Sequence, residues 1–307
     1  MKKFFYIFAL CVFGTMLCGV AYAEDPPPFF LEWGSPGSGP SQFHDAWAIA
    51  SDASGDVYVA DMLNHRIQKF TWDGQFLLSW GTEGSGNGQF RSPSGVCVGS
   101  DGFVYVADLN NQRIQKFTRE GTYILQFGNS PSDPIQLWAP YGIAMGPDGN
   151  IYISSSTQAI LKYSPGGTYI THWVFTGNNV GLTVDRNCLV YVSESNADHM
   201  FVFDCEGNPL TDWSTIDGAY SLASDAQNNI FVAGYGGGNP SLAKYTSNGG
   251  LLCAWDMEGD GSTTGIGLGR DGLVYAVDAY LEKVQVFGDL PIPTRLETWG
   301  SLKSLYR

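Results

Sequence analysis

GDVYVADMLNHRIQKFTWDGQFLLSWG, residues 55–81, returns 47 residues later as GFVYVADLNNQRIQKFTREGTYILQFG, residues 102–128, with 16 of 27 positions identical. A repeat this strong defines the architectural unit before any local propensity is weighed. Each copy contains three short β-rich runs parted by turn signals. They are VYVA, then RIQKFT after an Asn-bearing loop, then a run such as FLLSW behind Asp73-Gly74.

Fainter copies extend along the chain. The aromatic at the centre of the second run recurs as Tyr58, Tyr105, Tyr152, Tyr191, Phe231 and Tyr275, at spacings of 47, 47, 39, 40 and 44 residues. A short inner run precedes each: AWAIASD, SGVCVGSD, YGIAMGPD, VGLTVDR, YSLASDA and GIGLGRD. Four strands per unit at this period predict an all-β, six-bladed β-propeller with four antiparallel strands in each blade. The outermost strands end in a second aromatic series: Trp33, Trp80, Phe127, Trp173, Trp213 and Trp255. The first of these lies upstream of the first inner run, whereas nothing after Phe287 supplies an outer strand. Phe29–Gly34 is therefore expected to complete the last blade, hiding two edges that could otherwise template aggregation.

Residues 1–23 read as a signal peptide. Lys2 and Lys3 precede an apolar run from Phe4 to Val20, and Ala21-Tyr22-Ala23 is a small-x-small cleavage site. The run is near the lower length limit of a membrane span, which leaves a retained anchor as the alternative. Leu17 before Cys18 argues against a lipoprotein box. The expected location is secreted, periplasmic or cell-surface, with no membrane insertion after cleavage. The net charge of −14 becomes −16 without the two leader lysines, since the leader holds no acid. That balance opposes binding to nucleic acid and to anionic lipid. One domain over residues 24–288 accommodates the repeats, because propellers add cores between blades. In the 289–307 tail, Trp299, Leu302 and Leu305 share a helical face suited to docking or sorting; a loosely ordered tail is the plainer reading. GSPGSGPSQF and GTEGSGNGQF link successive blades, with Phe43 and Phe90 expected to plug the seams.

These residues resemble the NHL-repeat family of six-bladed propellers. The resemblance rests on the inner-strand segments Pro93–Val96 and Pro140–Ile143, the G-x-V-Y-V-A-D run and the N-x-R-I-Q-K-F run. It is closest in the first two blades and weakest in the last three. It implies that Asp61 and Asp108 brace Arg66 and Arg113, while Asn64 and Asn111 hold the turns. Ser155 and Glu194 stand where the third and fourth blades would carry that Asp. Proteins of this family serve as binding platforms, RNA-binding domains, sensors and, less often, enzymes, so function must come from a site. The chain has no RING-like Cys/His cluster, and its acidity argues against the RNA-binding members.

Catalytic signals are sparse. A propeller similar to peptidyl-hydroxyglycine amidating lyase would carry zinc-binding histidines ahead of several inner strands. Only His44 stands so, and Ser94, Tyr141, Asn179, Tyr220 and Thr264 occupy the positions read as equivalent. Zinc takes three protein ligands. A lactonase-type hydrolase, built on a carboxylate and Asn around a divalent ion, is the companion alternative. Asp256, Glu258, Asp260 and Ser262 resemble the start of a calcium loop, but Gly267 occupies the place of its bidentate Glu. The expectation is no catalytic residue and no resident cofactor, with zinc or calcium as the alternative. His65 and His199 read as solvated residues of the second-to-third-strand loops, and His172 as structural. Transferring the strand register from Tyr58 to Tyr191 places Cys188 opposite Cys205, predicting a disulfide in an oxidising compartment. Cys97 and Cys253 read as small buried residues.

A ligand site is expected around the axial mouth where inner strands begin and the second-to-third-strand loops end. His44, Trp47, Arg91, Trp138, Tyr141, Asn179, Tyr220 and Tyr235 should surround it. Aromatic rings with few charges suit a protein, peptide or glycan ligand. The reading is a monomeric, non-catalytic recognition module, with a metal-dependent lyase or hydrolase as the alternative.

Overall fold

The computed structural model describes residues 23–131, 133–174, 179–194, 198–234, 240–259 and 263–288. Leader residues 1–22, Tyr235, Asp260, Ser262 and the tail from 289 onward lie outside the described residues. Among those described, twenty-four strands form six four-stranded antiparallel sheets. Blade one consists of Ala46–Ser51, Val57–Asp61, Arg66–Phe70 and Phe76–Trp80, running from axis to rim. Blades two to five repeat this plan. The inner strand Ala46–Ser51 touches both Pro93–Val98 and Thr263–Leu268, which closes the ring.

Burial follows this order. The second strand, VYVAD, is buried at every position, so it reads as an unbroken apolar run. The fourth strand alternates between partly buried and exposed positions, as a half-covered strand should. Blade six combines Thr263–Leu268, Val274–Asp278, Lys283–Phe287 and the early strand Phe29–Trp33. Leu31 pairs with Val286, Glu32 with Gln285 and Trp33 with Val284. The two parts of the chain therefore close the ring within one sheet. Phe43 and Phe90 are fully buried in the cores between neighbouring blades.

The outer aromatic series is a set of locks between blades. Trp33, Trp80, Phe127, Trp173 and Trp213 each lie on a glycine in the next blade's third-to-fourth-strand turn: Gly74, Gly121, Gly167, Gly207 and Gly249. Each glycine has a positive φ, and a Cβ there would fall within 3 Å of the aromatic side chain. Gly121→Ala should destabilise by about 2 kcal/mol, combining backbone strain at φ +80° with a Cβ 2.7 Å from Trp80. Gly149→Ala carries a similar φ of +76° but has open space around the added methyl. Urea midpoints should fall more for the first variant; equal losses would show that the ring contact contributes nothing.

The central tyrosines brace the other end of blades one to four. Tyr58, Tyr105, Tyr152 and Tyr191 donate to Asp52, Asp101, Asp148 and Asp185 in the first-to-second-strand turns, at 3.1, 2.6, 2.8 and 3.1 Å. Burial alone would raise Asp148, but hydrogen bonds from Asn150, Tyr152 and Lys162 outweigh it and hold the carboxyl at about 2. Cys188 and Cys205 form a disulfide across blade four, with Cα atoms 5.4 Å apart.

Candidate functional site

Each inner strand breaks register just after its first residue. Such a bulge bends the strand and re-aims a side chain. Trp47, Ser94, Tyr141, Tyr220 and Thr264 occupy these bulges and line one axial mouth. Trp47 from blade one meets Tyr220 from blade five edge to face, with ring centroids 5.7 Å apart. The remaining cavity is only about 60 Å³. The Ser94 hydroxyl donates to Pro140 O at 2.6 Å, and that of Thr264 to Ala46 O at 2.8 Å. Both hydroxyls are thus engaged in joining adjacent inner strands.

Around this narrow mouth the loops are held by a repeated carboxylate hub. Asp61 accepts from His44 N at 2.8 Å, Asn64 Nδ2 at 2.9 Å, Arg66 Nε at 2.7 Å and Gln68 Nε2 at 3.0 Å. Asp108 repeats the pattern with Arg91 N, Asn111, Arg113 and Gln115. In blade three the direction reverses, and the Ser155 hydroxyl donates to Trp138 O at 2.6 Å. A second contact ties three of the blades to the next. His65, Asp198 and Glu282, all at positive φ, accept the backbone N–H groups of Ser92, Gly218 and Asp45 respectively. Burial pushes the Glu282 carboxyl up, and it raises Asp45 as well, His44 offsetting only part of that rise.

The opposite end of the axis is much wider. The second halves of the inner strands and their following turns enclose about 600 Å³, with Arg119 and Arg186 among the lining residues. Nothing in the sequence pattern pointed to this mouth.

The NHL repeat model matches residues 43–70 and 90–117. These two matches fall in the first two of six four-stranded blades. The chain is a six-bladed propeller that carries NHL repeats. No curated protein matches it in sequence. Solved structures similar to the NHL propeller include a streptogramin B lyase, with a TM-score of 0.61 at 15% identity over 80% of this chain and 93% of that one. A catalytically inactive histidine-to-alanine virginiamycin B lyase from Staphylococcus aureus, solved with quinupristin, gives 0.61 at 16% identity over 83% of each chain. A protein of unknown function from Bacteroides caccae gives 0.59 at 14%, over 74% of this chain and 87% of that one. At these identities the likeness extends to the fold.

Within the NHL propeller, Trp47, Tyr141 and Tyr220 meet at the narrow mouth. His44, Arg91 and Trp138 lie farther out on the same face, all exposed, each two residues ahead of its inner strand. His44 is thus equivalent to Arg91 and Trp138, not to Ser94, Tyr141, Tyr220 or Thr264. The last four are equivalent to Trp47, three positions on, because an intervening left-handed residue (Asp45, Ser92 or Ala139) resets the register. Asn179 opens the inner strand of blade four in the first position, one residue before the bulge.

His65 and His199 also differ from their expected settings, whereas His172 is structural as expected. His65 Nδ1 is 3.1 Å from Ser92 N and joins blades one and two, so it is not simply solvated. His199 begins the third strand of blade four, where its Nε2 lies 2.5 Å from Asp212 Oδ2. His172 bonds Tyr169. Asp256 accepts from Ser241 N, and Glu258 N donates to Gln285. Burial pushes the Cys97 and Cys253 thiols up, which removes thiolate character from both.

Two exposed residues of the narrow face went unmarked in the sequence. Tyr280 is 73% exposed and Leu63 43%, and they occupy the same position in the loops of blades six and one. Each comes three residues before the Lys or Arg that opens the third strand, a spacing visible in the sequence once the loops are aligned.

Proposed function

We propose that this NHL propeller is an exported, non-catalytic recognition module that binds a protein segment, peptide or glycan across its narrow-mouth face. The observation that carries this reading is the collection of exposed Trp138, Tyr280 and Leu63 around a mouth already filled by Trp47 and Tyr220. A cavity of about 60 Å³ is too small to swallow a substrate, so a ligand here must lie across the face. Aromatic rings supply large contact area at low entropic cost. The leader pattern and the Cys188–Cys205 disulfide support an oxidising, extracytoplasmic compartment. A net charge of −14 argues against nucleic acid as the partner. The chain acts as a monomer in this reading, and no resident cofactor is required.

The test is binding of the purified protein to glycan and peptide arrays, followed by a Trp138→Ala/Tyr280→Ala double variant. The variant should lose roughly tenfold or more in affinity with its melting temperature unchanged, because both side chains are surface anchors. Full retention of binding would refute the assignment of this face.

A metal-dependent lyase or hydrolase is the second reading, favoured by the shared fold with two streptogramin-class lyases. It would place His44 at the reacting end of the narrow face. Elemental analysis separates the two. Stoichiometric zinc or calcium lost in a His44→Ala variant would favour the enzyme and displace the recognition module.

A further inference from the structure

The wide mouth has the properties of a separate small-molecule site. Its volume, about 600 Å³, falls within the ordinary range for ligand pockets. Its wall is mixed: short apolar side chains, among them partly exposed Ala50, Val98, Ala144, Ala223 and Leu268, stand beside the hydroxyls of Ser51, Thr183 and Ser224. Aspartates recur in the turns around it, yet their carboxylates are already engaged. Asp52 accepts from Ser54 N, Asp56 N and Tyr58, and Asp185 from Asn187 N, Leu189 N and Tyr191. Asp225 accepts from Gln227 N and twice from Asn229. These groups hold turns, with little acceptor capacity left for a cation.

The cations at the rim are less committed. Arg119 donates to Ser54 Oγ at 3.1 Å and lies 3.6 Å from Asp52. Arg186 is exposed; its backbone N–H donates to Asn228, while its guanidinium has no partner among the described residues. A free guanidinium beside a partly apolar cup is an arrangement that pairs with a carboxylate or sulfonate on an apolar body.

We propose that this cup binds a small organic anion, its apolar body against the inner strands and its charge on Arg186. The site lies at the other end of the axis from the recognition face and does not depend on it.

The probe is 1-anilinonaphthalene-8-sulfonate, titrated by fluorescence into the full-length protein at neutral pH. Its neutral counterpart, N-phenyl-1-naphthylamine, is titrated in parallel. Saturable one-to-one binding of the sulfonate is expected. Arg186→Gln should weaken it roughly fivefold, as befits a partly solvated charge pair, and leave the neutral probe unchanged. Arg186 is exposed, so this variant carries little risk to folding. Ala223→Trp, which fills the cup, should abolish both titrations while near-ultraviolet circular dichroism stays native. Trp138→Ala, on the far face, should alter neither. The proposal is overturned by unsaturable binding, by an Arg186→Gln titration equal to wild type, or by loss of binding in Trp138→Ala.

Discussion

Removing residues 24–34 is expected to leave a chain that no longer yields a folded monomer. Without Phe29–Trp33, blade six keeps three strands and Lys283–Phe287 becomes an open edge. Phe30, Leu31 and Trp33 also leave the core shared by blades six and one, where Trp33 packs 5.8 Å from Phe70 and 6.1 Å from Tyr275. Loss of a fully buried Trp costs about 3–5 kcal/mol, and partly buried Trp33 belongs at the lower end. A typical domain has only about 5–15 kcal/mol in total. The Lys283–Glu32 and Lys244–Glu24 ion pairs disappear as well, though exposed pairs contribute little. Size-exclusion chromatography should show aggregate in place of monomer. A synthetic peptide of residues 24–34, added during refolding, should restore the monomer by re-forming the same strand. Trp33→Ala provides the graded version, with a loss of about 3 kcal/mol in urea melts. A truncated protein that is monomeric and melts at the wild-type temperature would refute closure through this strand.

Asp108→Ala is the point substitution with the largest expected cost, about 3–5 kcal/mol. Asp108 is fully buried, and Arg113 is 3% exposed, with Nε 2.9 Å from the carboxylate. Arg113 also donates to Ser85 O, Gly86 O and Gln89 O, so its guanidinium stays buried when the carboxylate is removed. An unpaired buried charge is the dominant cost, and the freed N–H of Arg91 and amide of Asn111 add to it. The double variant Asp108→Ala/Arg113→Ala should therefore cost less than the two single losses combined. Asp61→Ala should behave similarly but more mildly, because Arg66 is 14% exposed and can reach water. Urea midpoints for the three variants decide the matter. A loss under about 1 kcal/mol for Asp108→Ala would mean that the hub is not a buried ion pair in solution.

Several of the same contacts explain why the repeat is legible in the amino-acid sequence. Four of the tyrosines that mark the units, those of blades one to four, donate to a turn aspartate, as Tyr105 does to Asp101, whereas Tyr275 donates to Trp72 O. Where Phe231 replaces the tyrosine, Asp225 takes the Asn229 side chain instead. Four of the outer tryptophans, Trp33, Trp80, Trp173 and Trp213, can be counted because each needs a glycine in the following blade, as Trp80 needs Gly121. Constraints that recur from blade to blade leave marks at a fixed spacing, and a single sequence is enough to find them.

The site is harder to read. Trp47 and Tyr220 are 173 positions apart in the chain, and their contact exists because six inner strands converge on one axis. Sequence spacing aligns His44 with the wrong ring because one left-handed residue in each of blades one to three separates the exposed rim from the bulged mouth, and backbone conformation of that kind has no residue signature here. Asp45, Ser92 and Ala139 share no chemistry.

By itself, the amino-acid order determined the number of blades, the strand that closes them and the pairing of Cys188 with Cys205, since each follows from local register repeated along the chain. Tertiary structure alone decided which axial mouth is plugged and which is open. Cavity volume depends on how six twisted sheets splay about a common axis, and no segment of the chain encodes that angle on its own.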